Sequence, residues 1–347
     1  MKSRGSRDGS ALDCALRSME KDAVEQTVRA RRALDVLLHG VRTSCWPEVA
    51  WMFSTLTPDG YPLELTFSSS PEPAVRYALE VAGPEMPEHQ RLREAFRLYR
   101  ALVGHPASAE IERVLSAVQA THELSYGAWF GGSHTKTTDR YKIYAELPKD
   151  ASVNEFPAEI FPGALPLEHC HSRPVMFGFQ PESNVREVYF RTGSLAPEDI
   201  GRLLWKNNLS HRYHETLELI QATAGRPGSA TALAGFSLAF NGDAKAMAVS
   251  LFTEAKFLFG SDANARRNLL KLARARCWPL LGYEEVSRAH HNWDAIAGNQ
   301  GVVAWIATPD NPVELRISVR PPDPGSEHSG KNSSPSQAGT IPASLLV

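Results

Sequence analysis

Leu315-Arg316-Ile317-Ser318-Val319-Arg320 alternates apolar and polar residues without a break. Side chains on a β-strand point to opposite faces in turn, so this stretch has one oily face and one cationic face. The same split divides Tyr141, Ile143, Ala145 and Leu147 from Arg140, Lys142, Tyr144 and Glu146. It also divides Leu63, Leu65 and Phe67 from Glu64, Thr66 and Ser68. Each of these strands belongs to a hairpin pattern, and five such patterns run along the chain: 62–69 with 75–82, 128–134 with 140–147, 175–180 with 185–192, 231–240 with 245–253, and 302–308 with 313–320. Pro, Asn, Gly or Asp stands where each backbone must reverse.

A helix-like stretch precedes each hairpin, and its apolar stripe must be buried against something. The oily strand faces are the available surface. Helices are therefore expected to wrap the outside and leave the charged faces to line a lumen, an α+β architecture in which a ten-stranded antiparallel β-barrel with a polar interior is surrounded by helices. That arrangement inverts the usual soluble barrel and implies room for a polar ligand. Helices are expected at 22–38, 87–102, 107–121, 196–224 and 255–275, with a start signal at 194–199 and a stop at Gly225-Arg226-Pro227-Gly228.

The 347 residues fit one large domain, residues 21–320, with 1–20 and the Ser-, Gly- and Pro-rich 321–347 expected to be disordered. A formal net charge of −2 gives no electrostatic footprint for nucleic acid. No apolar run reaches the length of a membrane span, and the polar start does not resemble a signal peptide. Cys14, Cys45, Cys170 and Cys277 lie far apart without CxxC spacing, which reads as reduced thiols in a cytoplasmic protein. His169-Cys170-His171 has no second pair of ligands near it, so no metal site is assigned. Gly131-Gly132 reads as a bulge or turn.

Glu64 and Arg76 fall on the polar faces of the first hairpin, and Arg140, Lys142 and Tyr144 on that of the second. Cations beside a phenol suit a diphosphate, because charge-assisted hydrogen bonds are roughly twice as strong as neutral ones. The chain has no Asp-rich DDxxD run and no GxxxxGK[ST] loop, so Lys and Arg would have to neutralise a diphosphate directly. Taken alone, Glu64 and Arg76 read more readily as a cross-strand salt bridge, and Arg316 and Arg320 can be read as charges that blunt a sheet edge.

Tyr61-Pro62-Leu63-Glu64-Leu65-Thr66-Phe67 followed by Val75-Arg76-Tyr77 resembles the first hairpin of the ABBA-type (PT-barrel) aromatic prenyltransferases, in particular the dimethylallyltryptophan synthase or indole branch. Arg140-Tyr141-Lys142-Ile143-Tyr144 is similar to the family's next diphosphate motif. The resemblance implies ααββ repeats, Glu64 on an indole nitrogen, and a diphosphate held by Arg76, Lys142 and Tyr144, joined by Arg140, Tyr189, Arg191 and Arg316. It implies transfer of a dimethylallyl or longer group from an allylic diphosphate to an electron-rich aromatic acceptor, small molecule or peptide, with no cofactor and no Mg²⁺. A phenolic or peptide acceptor, or a silent barrel that only binds a small molecule, are the alternatives.

The third hairpin departs from the family pattern. Val185-Arg186-Glu187-Val188-Tyr189-Phe190-Arg191 keeps a tyrosine but loses the aligned cations, with Arg186 on the opposite parity and Arg191 further along on the same one. Trp305 or Phe252 is expected to stand in for missing tyrosines of the cage around the prenyl cation, with Ser318 and Ala307 leaving room.

Overall fold

A computed structural model describes residues 7–42, 54–57, 60–150, 156–158, 160, 172–225, 233–242, 246–280, 282–288 and 298–322. Ten strands close into one antiparallel barrel: β1 (Leu63–Ser68), β2 (Val75–Glu80), β3 (Ala128–His134), β4 (Asp139–Glu146), β5 (Arg173–Gln180), β6 (Val185–Arg191), β7 (Gly235–Phe240), β8 (Ala248–Glu254), β9 (Gln300–Ala307) and β10 (Glu314–Val319). Each strand pairs with its sequence neighbours, and β10 returns to β1 through Thr66 opposite Ser318 and Ser68 opposite Arg316. Closure leaves no sheet edge, so Arg316 is not an edge charge.

Register carries the alternation around the wall. Arg76 lies between Thr66 and Ser133, Ser133 faces Arg140, and Gly131 faces Lys142, all on the inside. The other parity, including Leu65, Phe67, Leu79, Ile143, Phe190, Leu251 and Ile317, joins the large core between barrel and helices. A second, separate cluster fills part of the lumen: Leu56, Ala78, Tyr126, Trp129, Tyr144, Met176, Tyr189, Phe252, Val302 and Ala304. The lumen is thus polar toward the hairpin turns and aromatic toward the other end.

The jacket consists of α1 (Arg7–Glu20), α2 (Val24–Leu37), α3 (Glu88–Val103), α4 (Ala109–Gln119), α5 (Pro197–Lys206), α6 (Tyr213–Ala224), α7 (Ala255–Phe259), α8 (Asp262–Arg276) and α9 (Tyr283–Arg288). Residues 1–20 were expected to be disordered, yet Arg7–Glu20 is a helix that buries Leu12, Ala15, Leu16 and Met19. Their i, i+3, i+4, i+7 spacing is a helical stripe hidden among charged neighbours. The tail from 323 onward lies outside the described residues.

Two expected helices are each broken in two. The 196–224 stretch stops at Asn207, where Asn208 takes φ 60°, Asn208 N–H reaches Trp205 O at 3.1 Å and Leu209 N–H reaches Leu204 O at 2.7 Å. These two bonds close a left-handed C-terminal cap, which asparagine tolerates better than other non-glycine residues. The 255–275 stretch breaks at Gly260, φ 77°, and restarts where Ser261 accepts the Asn264 N–H at 3.3 Å. Gly131-Gly132 is neither bulge nor turn but regular strand, paired without a register shift on both sides, and Gly132 makes room for the Tyr77 ring, which a Cβ there would meet at 2.3 Å.

Candidate active site

β1 and β2 present Glu64 and Arg76 to the lumen. Glu64 stands opposite Ala78 and is 1 % exposed; Arg76 stands opposite Thr66, two pairs nearer the hairpin turn. Among the described residues Arg76 makes no ion pair, and the charges that act on it are Arg316, Glu314 and Glu72, so the cross-strand bridge to Glu64 does not form. Burial and then Arg316 pull its pKa down to about 10.

Arg76, Arg140, Lys142, Tyr144 and Arg316, drawn from three separate hairpins, line one cavity of about 170 Å³, with Glu72 at its rim. Five of the residues expected to bind a diphosphate are therefore brought together. Tyr144 is fully buried, and among the described residues neither its hydroxyl nor that of Thr66, opposite Arg76, has a hydrogen-bond partner. The Tyr144 hydroxyl, in the wall of a cation-lined cavity, is a donor that suits an anionic ligand.

Two of the cations carry counter-ions that the sequence did not reveal. Arg316 donates to both carboxylate oxygens of Glu314, at 2.8 and 3.1 Å. Although burial, the largest single influence, raises the pKa of Glu314, Arg316, Arg76 and Ser68 together outweigh it and hold the carboxyl at about 2. Lys142 donates to Tyr189 Oη at 2.7 Å and to Glu187, while Ser237 donates to the other Glu187 oxygen. Burial lowers the pKa of Lys142, with Glu187 opposing; for Glu187 itself Lys142 and Ser237 outweigh burial, and its pKa falls below the ordinary value. The Lys142 ammonium also lies 5.1 Å from the Tyr144 ring centroid and 5.2 Å from that of Tyr189, within cation–π range.

Three expectations fail for identifiable reasons. Trp305 points outward and donates from Nε1 to Thr223 on α6 at 3.1 Å, because its partners Leu315 and Leu251 set it on the outer parity. Ala307, opposite the outward Val249, faces the same way. Ser318 is inside, and its hydroxyl accepts the Val302 N–H at 2.8 Å next to the irregular β9–β10 register. Arg191 has lumen parity but pairs with Arg173 and Gly235 at the end of β6 away from the hairpin turn, outside the cavity. Phe252, by contrast, belongs to the inner aromatic cluster with Tyr189, as expected.

That cluster walls the lumen beyond the cation site. Tyr126 stacks on Trp129 with centroids 3.6 Å apart, and Tyr144 meets Tyr189 edge to face. Glu80 and Glu146 share the lumen parity but serve the framework. Glu80 accepts from Arg91 at 2.6 Å, and Glu146 collects the N–H groups of Ser125, Tyr126 and Gly127 at 2.7–2.9 Å. Among the described residues no cluster of His, Cys, Asp and Glu is arranged to hold a metal ion, and 169–171 lies outside them. No described helix is long and apolar enough to cross a membrane.

Solved structures share this architecture from end to end. A 5-dimethylallyl tryptophan synthase from Streptomyces coelicolor, in complex with DMASPP and Trp, superposes with a TM-score of 0.74 at 13 % identity, covering 94 % of this chain and 99 % of that one. The chain has the PT-barrel fold. A 6-dimethylallyltryptophan synthase from Micromonospora olivasterospora, again with DMASPP and Trp, gives 0.67 at 14 % identity over 92 % and 100 % of the two chains. AnaPT from Neosartorya fischeri gives 0.61 at 15 %, over 89 % and 92 %. No protein-family model and no curated protein matches the chain.

Proposed function

We propose that this PT barrel is an aromatic prenyltransferase, moving a dimethylallyl or longer group from an allylic diphosphate donor to an electron-rich ring of the indole type. The observation that carries the reading is the convergence of Arg76, Lys142, Tyr144 and Arg316 on one cavity, with an aromatic lumen and the buried Glu64 beyond it. The donor's C–O bond breaks, with its electron pair leaving on the phosphate oxygen. Arg76 and Arg316 stabilise that charge and the Tyr144 hydroxyl donates to it. Tyr144 and Tyr189 offer π faces to the allyl cation, each worth about 0.5–2 kcal/mol, and the enclosed wall excludes water. The ring carbon forms the new bond, the ring proton departs to a base, and Glu64 draws on the indole N–H to raise ring nucleophilicity.

Because side chains supply the positive charge, transfer needs no Mg²⁺. Incubation with dimethylallyl diphosphate and a panel of indoles and phenols, in excess EDTA and read by mass, should give acceptors heavier by one prenyl group. Activity abolished by EDTA and restored by Mg²⁺ would exclude the metal-free mechanism. The Lys142–Glu187 pair favours a second reading, a binding barrel without turnover, since it occupies one of the cations. Tight donor binding with no mass gain on any acceptor would select that reading.

A further inference from the structure

Lys142 reaches its place in the donor cavity by a fixed path. From β4 its side chain passes over Gly178 on β5 to β6, and Gly178 opens the way, because a Cβ there would lie 2.4 Å from Lys142 Cε. The ammonium then donates to Glu187 and, at 2.7 Å, to Tyr189 Oη. Glu187 is itself tied down: Ser237 on β7 donates to its other oxygen, and the Tyr189 hydroxyl donates to it as well. A lysine carries a compact charge on a flexible stem, and two anchors on one strand remove that freedom. An ammonium has three N–H donors. Lys142 spends two on β6 and lines the donor cavity, which Glu187 does not, so one donor is left over and the ammonium stands between the carboxylate and an incoming anion.

The pair also bears on whether Lys142 keeps its proton. Burial pulls the pKa of Lys142 down and Arg316 adds to that pull, while Glu187 opposes both. The other groups around it are Arg140 and Tyr144 on its own strand, Tyr189 on β6, Arg76 from β2, Arg316 and Glu314 from β10, and Glu72 at the rim. Three of these are cations, and Glu314 is already engaged by Arg316. Without Glu187 the ammonium would therefore give up its proton at a lower pH.

We propose, resting on the donor reading of the preceding subsection, that Glu187 is a positioning residue: it keeps the Lys142 ammonium charged and held at the donor cavity, where its remaining N–H meets the diphosphate. Titration calorimetry of the full chain with dimethylallyl diphosphate, from about pH 6.5 to about pH 9.5, tests it below the range in which arginines lose their protons. Donor affinity should fall once Lys142 is deprotonated, and in Glu187→Gln that fall should begin at least about one pH unit lower than in wild type. Glu187→Asp, which keeps the charge but withdraws it by one methylene, should shift it in the same direction by less. Lys142→Met, which has no proton to lose, should lack the fall over this range. The same pH dependence in wild type and a folded Glu187→Gln, with affinity lowered by one factor at every pH, would make Glu187 merely structural and overturn the inference. Should Glu187→Gln not fold, an unshifted Glu187→Asp overturns it, as does a fall that persists in Lys142→Met. No binding of dimethylallyl diphosphate by wild type at any pH overturns the donor reading itself, so the two failures are distinguishable.

Discussion

Arg76 is a buried cation with no ion-pair partner among the described residues, and its pKa of about 10 measures the strain. A base whose folded pKa lies below its unfolded value destabilises the fold while charged, and that penalty fades as pH rises through the folded value. Arg76→Ala should therefore leave thermal stability unchanged or raised while weakening phosphate-ester binding at least about tenfold, the loss of one charged hydrogen-bond donor. A fall in both stability and binding would mark Arg76 as a framework residue. Glu64→Gln keeps the volume but removes the charge facing the acceptor, so prenyl transfer to indoles should slow about ten- to hundredfold with donor affinity unchanged. Transfer at the wild-type rate would detach Glu64 from the acceptor. Both residues were legible as polar positions on alternating strands. Glu187 was visible only as a missing cation, because its meaning depends on Lys142 crossing Gly178, a contact between strands 45 residues apart that no local pattern encodes.

Strands were legible where the breaks between helices were not, and the difference has a physical basis. A period of two repeats within six residues and is enforced by opposite solvents on the two faces, so β1, β4 and β10 declare themselves. The breaks at Asn207 and Ser261 lie inside apolar periodicity that continues on both sides, and they are fixed by local capping and by a distant anchor, Asn207 Oδ1 accepting the Ala246 N–H at 3.0 Å. The outward turn of Trp305 follows from the same register logic, since its neighbours in the ladder are Leu251 and Leu315. Ser261 accepts an otherwise unpaired amide at the start of α8. Ser261→Ala should cost about 1 kcal/mol in chemical denaturation, with α8 the first segment to gain hydrogen exchange. An unchanged midpoint would show that tertiary packing alone positions that helix.

Closing the sheet makes the whole wall a single electrostatic unit, in which charges from strands far apart in sequence meet across the lumen. Glu314 shows the consequence: Arg316 on the same strand, Arg76 from β2 and Ser68 from β1 all bear on it. Its folded pKa of about 2 lies below the ordinary 4.5, so it contributes stability that is complete above the unfolded value and is lost as pH falls toward the folded one. A shift of that size corresponds to about 3 kcal/mol. Glu187, also depressed, acts with the same sign. Glu314→Gln should therefore be less stable than wild type by about 3 kcal/mol at pH 7. As pH drops from about 4.5 to about 2 the wild-type carboxylate takes up its proton and the two denaturation curves should converge. A gap that stays constant from neutral pH down to pH 3 would mean that Glu314 does not carry the charge that Arg316 and Arg76 face across the lumen.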